Sequence, residues 1–220
     1  MKREIHGVTA KGEEAILVWF LPRMPRWVSP DMLTTIALAA NIAAGCLYVL
    51  APKHMWLLLV INALLVVNWF SDSLDGKLAR YRKLIRPYFG QYIDHVCDCF
   101  GILAFCWGIA YSSLVRTPVF ALVPALFTLI VLHIYYSKLQ LRRYSLTLGP
   151  IGPTEMRVGV ILVNTGVWIF GNPVYDLLNA QYSVYDLAGI ALVGILLFWN
   201  IYVSISVGKT FLDLDARSMH

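Results

Sequence analysis

Residues 55–81 read MWLLLVINALLVVNWFSDSLDGKLARY, and residues 88–112 read YFGQYIDHVCDCFGILAFCWGIAYS. Each is an apolar run long enough to cross a bilayer, which takes about 20 residues as a helix. The first run ends in Asp72, Asp75, Lys77 and Arg80, and the second begins with Asp94, His95 and Asp98. The short connection around Arg86-Pro87 makes the two helices antiparallel neighbours. At 3.6 residues per turn, Asp72, Asp75, Gly76 and Ala79 share one helical face, and Gly90, Asp94 and Asp98 share another. Four carboxylates are thus expected to meet at one membrane boundary. Charged side chains on spanning helices are costly and mark functional sites by default.

Outward from this pair the chain keeps the same character. It is 59% hydrophobic and 14% charged over 220 residues, far from the soluble balance of about 25% charged. Six spans are expected, near 31–51, 55–81, 88–112, 117–142, 153–172 and 184–208. They are separated by Pro30, Ala51-Pro52-Lys53, Arg86-Pro87, Thr117-Pro118, Gly149-Pro150-Ile151-Gly152-Pro153 and Gly171-Asn172-Pro173. The expected fold is an all-α membrane protein with three parts: an N-terminal segment (1–30), a six-helix membrane domain (31–210) and a C-terminal tail (211–220). Within the first part, residues 10–22 are too short to span. With Trp19, Trp27, Arg23 and Arg26 they read as an interfacial amphipathic helix, or as a helix packed on the protein's own face. The start of the chain lacks the apolar core of a cleavable signal peptide.

With the N-terminus inside, all 18 lysines and arginines except Lys53 and Arg116 fall on the cytosolic side. Both termini and the acidic site are then expected in the cytosol. The same distribution assigns the net charge of +5 to a membrane surface and not to nucleic acid. Cys46, Cys97, Cys99 and Cys106 lie in apolar stretches and read as packing residues, with no disulfide and no metal at sulfur.

Four carboxylates in an apolar setting repel one another unless something cationic holds them ionised. An all-oxygen donor set suits Mg²⁺, Mn²⁺ or Ca²⁺ better than zinc. Four carboxylates can hold two such ions, the arrangement that clamps attacking and leaving oxygens in phosphoryl transfer. Gly76, Ala79 and Gly90 leave room for close helix approach or for a ligand, and Arg80 can bind phosphate. The plainer alternative is a salt-bridged network with Lys77, Arg80 and Arg82. Asn62 and Asn68 are expected to bond across helices, His133 to be a hydrogen-bonded core residue, and Arg142-Arg143 to anchor at the membrane or bind phosphate. A transporter that relays ions through its acids is the competing class, but it predicts acids near the bilayer middle.

The pattern Asp72-x2-Asp75-Gly76-x2-Ala79-Arg80-x9-Gly90-x3-Asp94-x3-Asp98 resembles the signature of the CDP-alcohol phosphotransferase family. The resemblance implies a homodimeric six-helix enzyme of phospholipid synthesis. Asp72, Asp75, Asp94 and Asp98 would bind two divalent ions, Mg²⁺ or Mn²⁺, while Asp72, Gly76 and Arg80 would hold the CDP group. An alcohol would attack the distal phosphorus, releasing CMP. One branch of the family joins CDP-diacylglycerol to a soluble alcohol such as glycerol phosphate, inositol phosphate or serine. The other joins CDP-choline or CDP-ethanolamine to a lipid hydroxyl such as that of diacylglycerol. Asp94-His95-Val96-Cys97-Asp98, Thr154-Glu155 and Trp27-Val28-Ser29-Pro30 resemble segments of the second branch, in which His95 would be the base and Glu155 its partner. In the first branch Asp98 is the candidate base. Asp31 stands where relatives commonly have asparagine, and the amino-alcohol enzymes usually have eight residues, not nine, after the arginine. The compact chain, without the extra spans of the eukaryotic enzymes, is nearer the first branch.

Overall fold

The computed structural model describes residues 10–141, 153–177 and 179–218. The Arg142-Arg143 pair lies outside them. The described chain is nearly all helical: α1 (Ala10–Phe20), α2 (Pro30–Leu50), α3 (Leu57–Tyr81), α4 (Phe89–Tyr111), α5 (Val123–Leu141), α6 (Pro153–Phe170) and α7 (Val184–Ser218). A small antiparallel hairpin, β1 (Val174–Leu177) and β2 (Ala180–Ser183), joins α6 to α7.

Local chemistry sets the helix ends. Ser29 caps α2 by accepting a hydrogen bond from the Met32 amide at 3.1 Å, and Pro30 takes the first turn, where no amide is needed. At the end of α3, Lys83 adopts φ 59°. The amides of Lys83 and Leu84 fold back to the carbonyls of Arg80 and Ala79, at 3.1 and 2.8 Å, and so close the helix in a Schellman motif.

Five segments are long and apolar enough to cross a membrane: Pro30–Leu50, Leu57–Tyr81, Phe89–Tyr111, Pro118–Ser137 and Val184–Leu214. The expected span at 153–172 is α6, which has 18 residues and is not among the five. Glu155, Arg157 and Asn164 dilute its apolar character. It nevertheless connects the two ends of the bundle, for its first two turns reach α3 through Arg157 and Asp72. Just beyond its last turn, Asn172 donates to the Leu114 carbonyl at the far end of α4 (2.8 Å). Eighteen residues rise about 27 Å. Two other expectations change in detail. The fourth span opens as a 3-10 turn, Pro118–Leu122, before α5, and α7 continues past residue 208 to Ser218.

α2 packs against both α3 and α4. The α2–α4 contact is backbone on backbone: a Cβ at Gly45 would lie 2.5 Å from the Ala104 carbonyl oxygen, and one at Gly108 would collide with the Gly45 backbone. Small residues at such crossings are how membrane helices gain packing energy in a solvent as apolar as their own side chains. Next to this contact lies the main core, including Ala44, Tyr48, Leu58, Ile61, Cys106, Ile109, Val167 and Tyr185.

Within that core Asn164 is a fully buried junction. Its Oδ1 accepts from the hydroxyls of Tyr48 and Tyr185, each at 2.7 Å, and its Nδ2 donates to Asn62 at 2.8 Å. This ties α2, α3, α6 and α7 together. Asn62 and Asn68 both bond across helices, as their sequence positions suggested; Asn68 donates to the Ala37 carbonyl at 2.9 Å. His133 is hydrogen-bonded too, to Leu129 within α5 and to Ser204 on α7.

At the end opposite Asp72, the fully buried Asp186 accepts hydrogen bonds from the amides of Arg116, Thr117 and Ser183 and the hydroxyls of Thr117 and Ser183. That one carboxylate locks the α4–α5 turn onto the start of α7.

At the Asp72 end, α1 lays the fully buried Leu17 against Val28, Leu33, Leu74 and Leu78. Ile16, Val18 and Trp19 on the same helix remain exposed. The packing of α1 on the protein's own face is thus present, beside an uncovered apolar surface.

If the backbone contact sets the α2–α4 distance, Gly108→Ala should cost about 1–3 kcal/mol through overpacking. The thermal midpoint in detergent should fall clearly. Gly166→Ala, whose Cβ would meet nothing within 4 Å, should leave it unchanged or raise it, since alanine favours the helix by about 1 kcal/mol.

Candidate functional site

The last three turns of α3, the first three of α4 and the first two of α6 converge at one end of the bundle. Asp72, Asp94 and Asp98 each present a carboxylate oxygen there, all within 4.8 Å of one another, and all three side chains are half-buried. The one-turn spacing of Asp94 and Asp98 on α4 and the α3–α4 reversal produce this convergence. Asp75 stands one turn beyond Asp72 but is held differently. It is buried at 7% exposure, accepts the Thr34 hydroxyl of α2 at 2.6 Å, and accepts the Gly76 amide. The expected group of four is therefore a triad with a fourth carboxylate anchored beside it.

The counter-charge is one the sequence reading missed. Arg157 Nη2 lies 2.7 Å from Asp72 Oδ2, with side chains only 16% and 20% exposed. In the sequence Arg157 registers only as one more cytosolic cation. Two of the basic residues proposed for the plainer network are engaged otherwise. Arg82 donates to the carbonyls of Met24 (3.0 Å), Pro25 (2.8 Å) and Val28, clamping the segment between α1 and α2. Arg80 folds its guanidinium over Gly76, where an added Cβ would stand 3.8 Å from it. Thr34 is the second residue the sequence did not reveal.

Gly76 and Gly90 do not mediate close helix approach. A Cβ at Gly90 would meet only Arg86, at 3.9 Å. An added side chain at either glycine would make only ordinary van der Waals contact with an arginine, so neither position is needed for close helix packing. Close approach falls instead to Gly45, Gly101 and Gly108.

His95 points Nδ1 toward Asp94 Oδ2 at 3.5 Å, too far for a hydrogen bond, and that buried nitrogen has no hydrogen-bond partner. Its ring packs edge-on against Tyr135, centroids 5.1 Å apart. Glu155 lies in the first turn of α6. Its neighbour Thr154 donates to Glu13 of α1 at 3.0 Å. Among the described residues no hydrogen bond joins His95 to Glu155. Asp31 pairs with Arg86 at the exposed rim.

The residues present fit a hard divalent cation. The donor set is oxygen only, three carboxylates share one small space, and among the described residues Arg157 is the one guanidinium paired with them. An acidic cluster at one end of a bundle of membrane-length helices defines the class, an integral membrane protein. The chain belongs to the CDP-alcohol phosphatidyltransferase family, whose model matches residues 27–205.

Among curated proteins it is similar to cholinephosphotransferase 1 of Mus musculus, 31% identical over 108 residues, which is 43% of this chain and 27% of that protein. The Homo sapiens cholinephosphotransferase 1 is 26% identical over 107 residues, 45% of this chain and 26% of that protein. The Danio rerio protein of the same name is 31% identical over 86 residues, 36% and 22%. The chain thus covers about a quarter of the length of the curated relatives it matches.

The Arg82 clamp makes its own prediction. Arg82→Ala would leave three carbonyls without their donor, and residues 24–28 should become the first site of cleavage in limited proteolysis. Arg82→Lys, lacking the planar fork, should protect only partly.

Proposed function

We propose that this protein transfers a substituted phosphate from a CDP-linked donor to an alcohol, releasing CMP, at the cytosolic face of a membrane in phospholipid synthesis. The carrying observation is the convergence of Asp72, Asp94 and Asp98 within 4.8 Å, beside the anchored Asp75 and the Arg80 guanidinium over Gly76. The donor is CDP-choline- or CDP-ethanolamine-like and the acceptor a lipid hydroxyl such as that of diacylglycerol. The names of the cholinephosphotransferase relatives and the Asp94–Asp98 segment support this choice.

α6 serves as a sixth span, because its contacts reach both ends of the bundle. The protein acts as a homodimer with both termini in the cytosol, and the exposed face of α1 rests at the lipid interface. These features rest on the family pattern and on the distribution of lysine and arginine.

Asp72, Asp75, Asp94 and Asp98 would hold two Mg²⁺ or Mn²⁺ ions, which when bound supply positive charge against the donor diphosphate and the departing phosphate. Arg80, folded over Gly76, lies where a guanidinium can bind a phosphate oxygen of the CDP group. The acceptor oxygen attacks the distal phosphorus, and the bond to the CMP oxygen breaks with its electron pair leaving on CMP. His95 takes the proton of the acceptor hydroxyl, oriented by neighbouring carboxylates, with Glu155 its partner in the substrate-bound state. The place of Asp98 inside the three-carboxylate cluster supports a second reading. In it, Asp98 is the base and CDP-diacylglycerol donates a phosphatidyl group to a soluble alcohol.

Purified protein given Mn²⁺, diacylglycerol and CDP-choline or CDP-ethanolamine should release CMP. CDP-diacylglycerol with glycerol phosphate, inositol phosphate or serine is the comparison arm. Release confined to that arm would select the second reading, and no release from any pair would overturn the proposal. Asp94→Asn should lower turnover on the order of a thousandfold, and EDTA should abolish it. His95→Ala should cost about 10²–10⁴-fold if His95 is the base; undiminished turnover would transfer that role to Asp98.

A further inference from the structure

The position of Arg157 poses a problem that the reaction alone does not answer. Its guanidinium contacts Asp72 directly, at 2.7 Å, and Asp72 contributes an oxygen to the three-carboxylate cluster. The pair is largely shielded from water, with 16% and 20% exposure, so it is screened less than a surface ion pair. An arginine keeps its charge at any pH the protein meets. A cation entering the cluster must therefore share Asp72 with a fixed positive group or displace it.

Two further observations narrow the choice. Arg157 reaches the cluster from α6, while the three aspartates sit on α3 and α4. It can therefore turn away without moving the carboxylates relative to one another. Gly76 and Gly90, on the helix faces that carry the carboxylates, have no side chain of their own to block that movement. A planar guanidinium released from a carboxylate is, moreover, well matched to a phosphate oxygen pair.

We propose that Arg157 is a built-in stand-in cation. It neutralises Asp72 while the cluster lacks a divalent ion, yields Asp72 when the ion binds, and then pairs with the anionic diphosphate of the nucleotide. Metal binding and nucleotide binding are thereby coupled through one side chain. This inference rests on the reading of the aspartates as metal ligands. Arg157 is a positioning residue for the metal step and a ligand for the nucleotide step.

The test uses the full chain in detergent micelles, with Mn²⁺ alone as the first probe and CDP at saturating Mn²⁺ as the second. Free Mn²⁺ is followed by electron paramagnetic resonance and CDP by calorimetry. Arg157→Gln should bind Mn²⁺ about five- to tenfold more tightly than wild type, as expected for loss of a competitor worth roughly 1 kcal/mol. The same variant should bind CDP about tenfold more weakly. A residue that only braces the fold would move neither in these opposite directions. Unchanged or weaker Mn²⁺ binding in Arg157→Gln would overturn the inference, the weaker case meaning that Arg157 orients Asp72 as a ligand. Should Arg157→Gln fail to fold, Arg157→Lys keeps the charge but loses the fork, and should show the same two signs at about two- to threefold. Absence of Mn²⁺ binding to both wild type and Arg157→Gln would instead overturn the metal reading, as would wild-type affinity in Asp94→Asn.

Discussion

Carboxylates crowded into a poorly hydrated space repel one another, and that repulsion is the constraint on which the rest of the structure depends. Asp72, Asp94 and Asp98 share a few ångströms, with Asp75 one turn away. Their partial compensation comes from outside the two helices that carry them. Arg157 arrives from α6 and Thr34 from α2. The Thr34 hydroxyl has one proton, and the contact to a carboxylate at 2.6 Å is the stronger use for it than the Pro30 carbonyl at 3.2 Å. Four helices must therefore hold a common register at this end.

That register is fixed far from the charges. The Gly45–Gly108 crossing sets the spacing of α2 and α4 with backbone atoms, which cannot relax as a side chain would. Asn164 joins four helices through one amide in the core, and each of its bonds is expected to contribute about 1 kcal/mol net. Leaving that amide unpaired in an apolar core would cost more than any single bond gains, so the network specifies one arrangement of α6. Asp186 does the same for α7 and the α4–α5 turn. Rigid packing at one end permits a destabilising cluster at the other.

Much of this was legible in the sequence, for a physical reason. Aspartates on apolar helices stand out, and the spacings that bring Asp72 near Asp75 and Asp94 near Asp98 are local and periodic. Their partners were not legible, since Thr34 lies 41 residues and Arg157 85 residues from the aspartates they serve. No periodicity reports on such distances. Arg157 was further hidden because a basic residue at a helix end already has a sufficient explanation in membrane orientation. Glycines misled in the opposite sense. Gly76 and Gly90, conspicuous beside the acids, face only an arginine side chain at ordinary contact distance, whereas Gly45 and Gly108, lost in apolar runs, make the tightest contact. The β1–β2 hairpin had little to announce it beyond Asn179, whose left-handed φ of 64° suits an asparagine in a tight turn.

α6 shows how the same residues can build a site and obscure the helix that carries it. Composition ranks a segment by its average, as though every side chain faced lipid. In α6 the polar side chains face protein: Arg157 meets Asp72, Thr154 meets Glu13, and Asn164 and Thr165 meet the side chains of α2, α3 and α7. A polar group satisfied by a neighbouring helix does not carry the full cost of transfer into hydrocarbon. The remainder, Val158, Leu162, Trp168, Ile169 and Phe170, is exposed and apolar. The low mean hydropathy of α6 is thus the signature of its work in the bundle. A helix that supplies the counter-charge of a buried acidic site must read as less apolar than helices that only surround it.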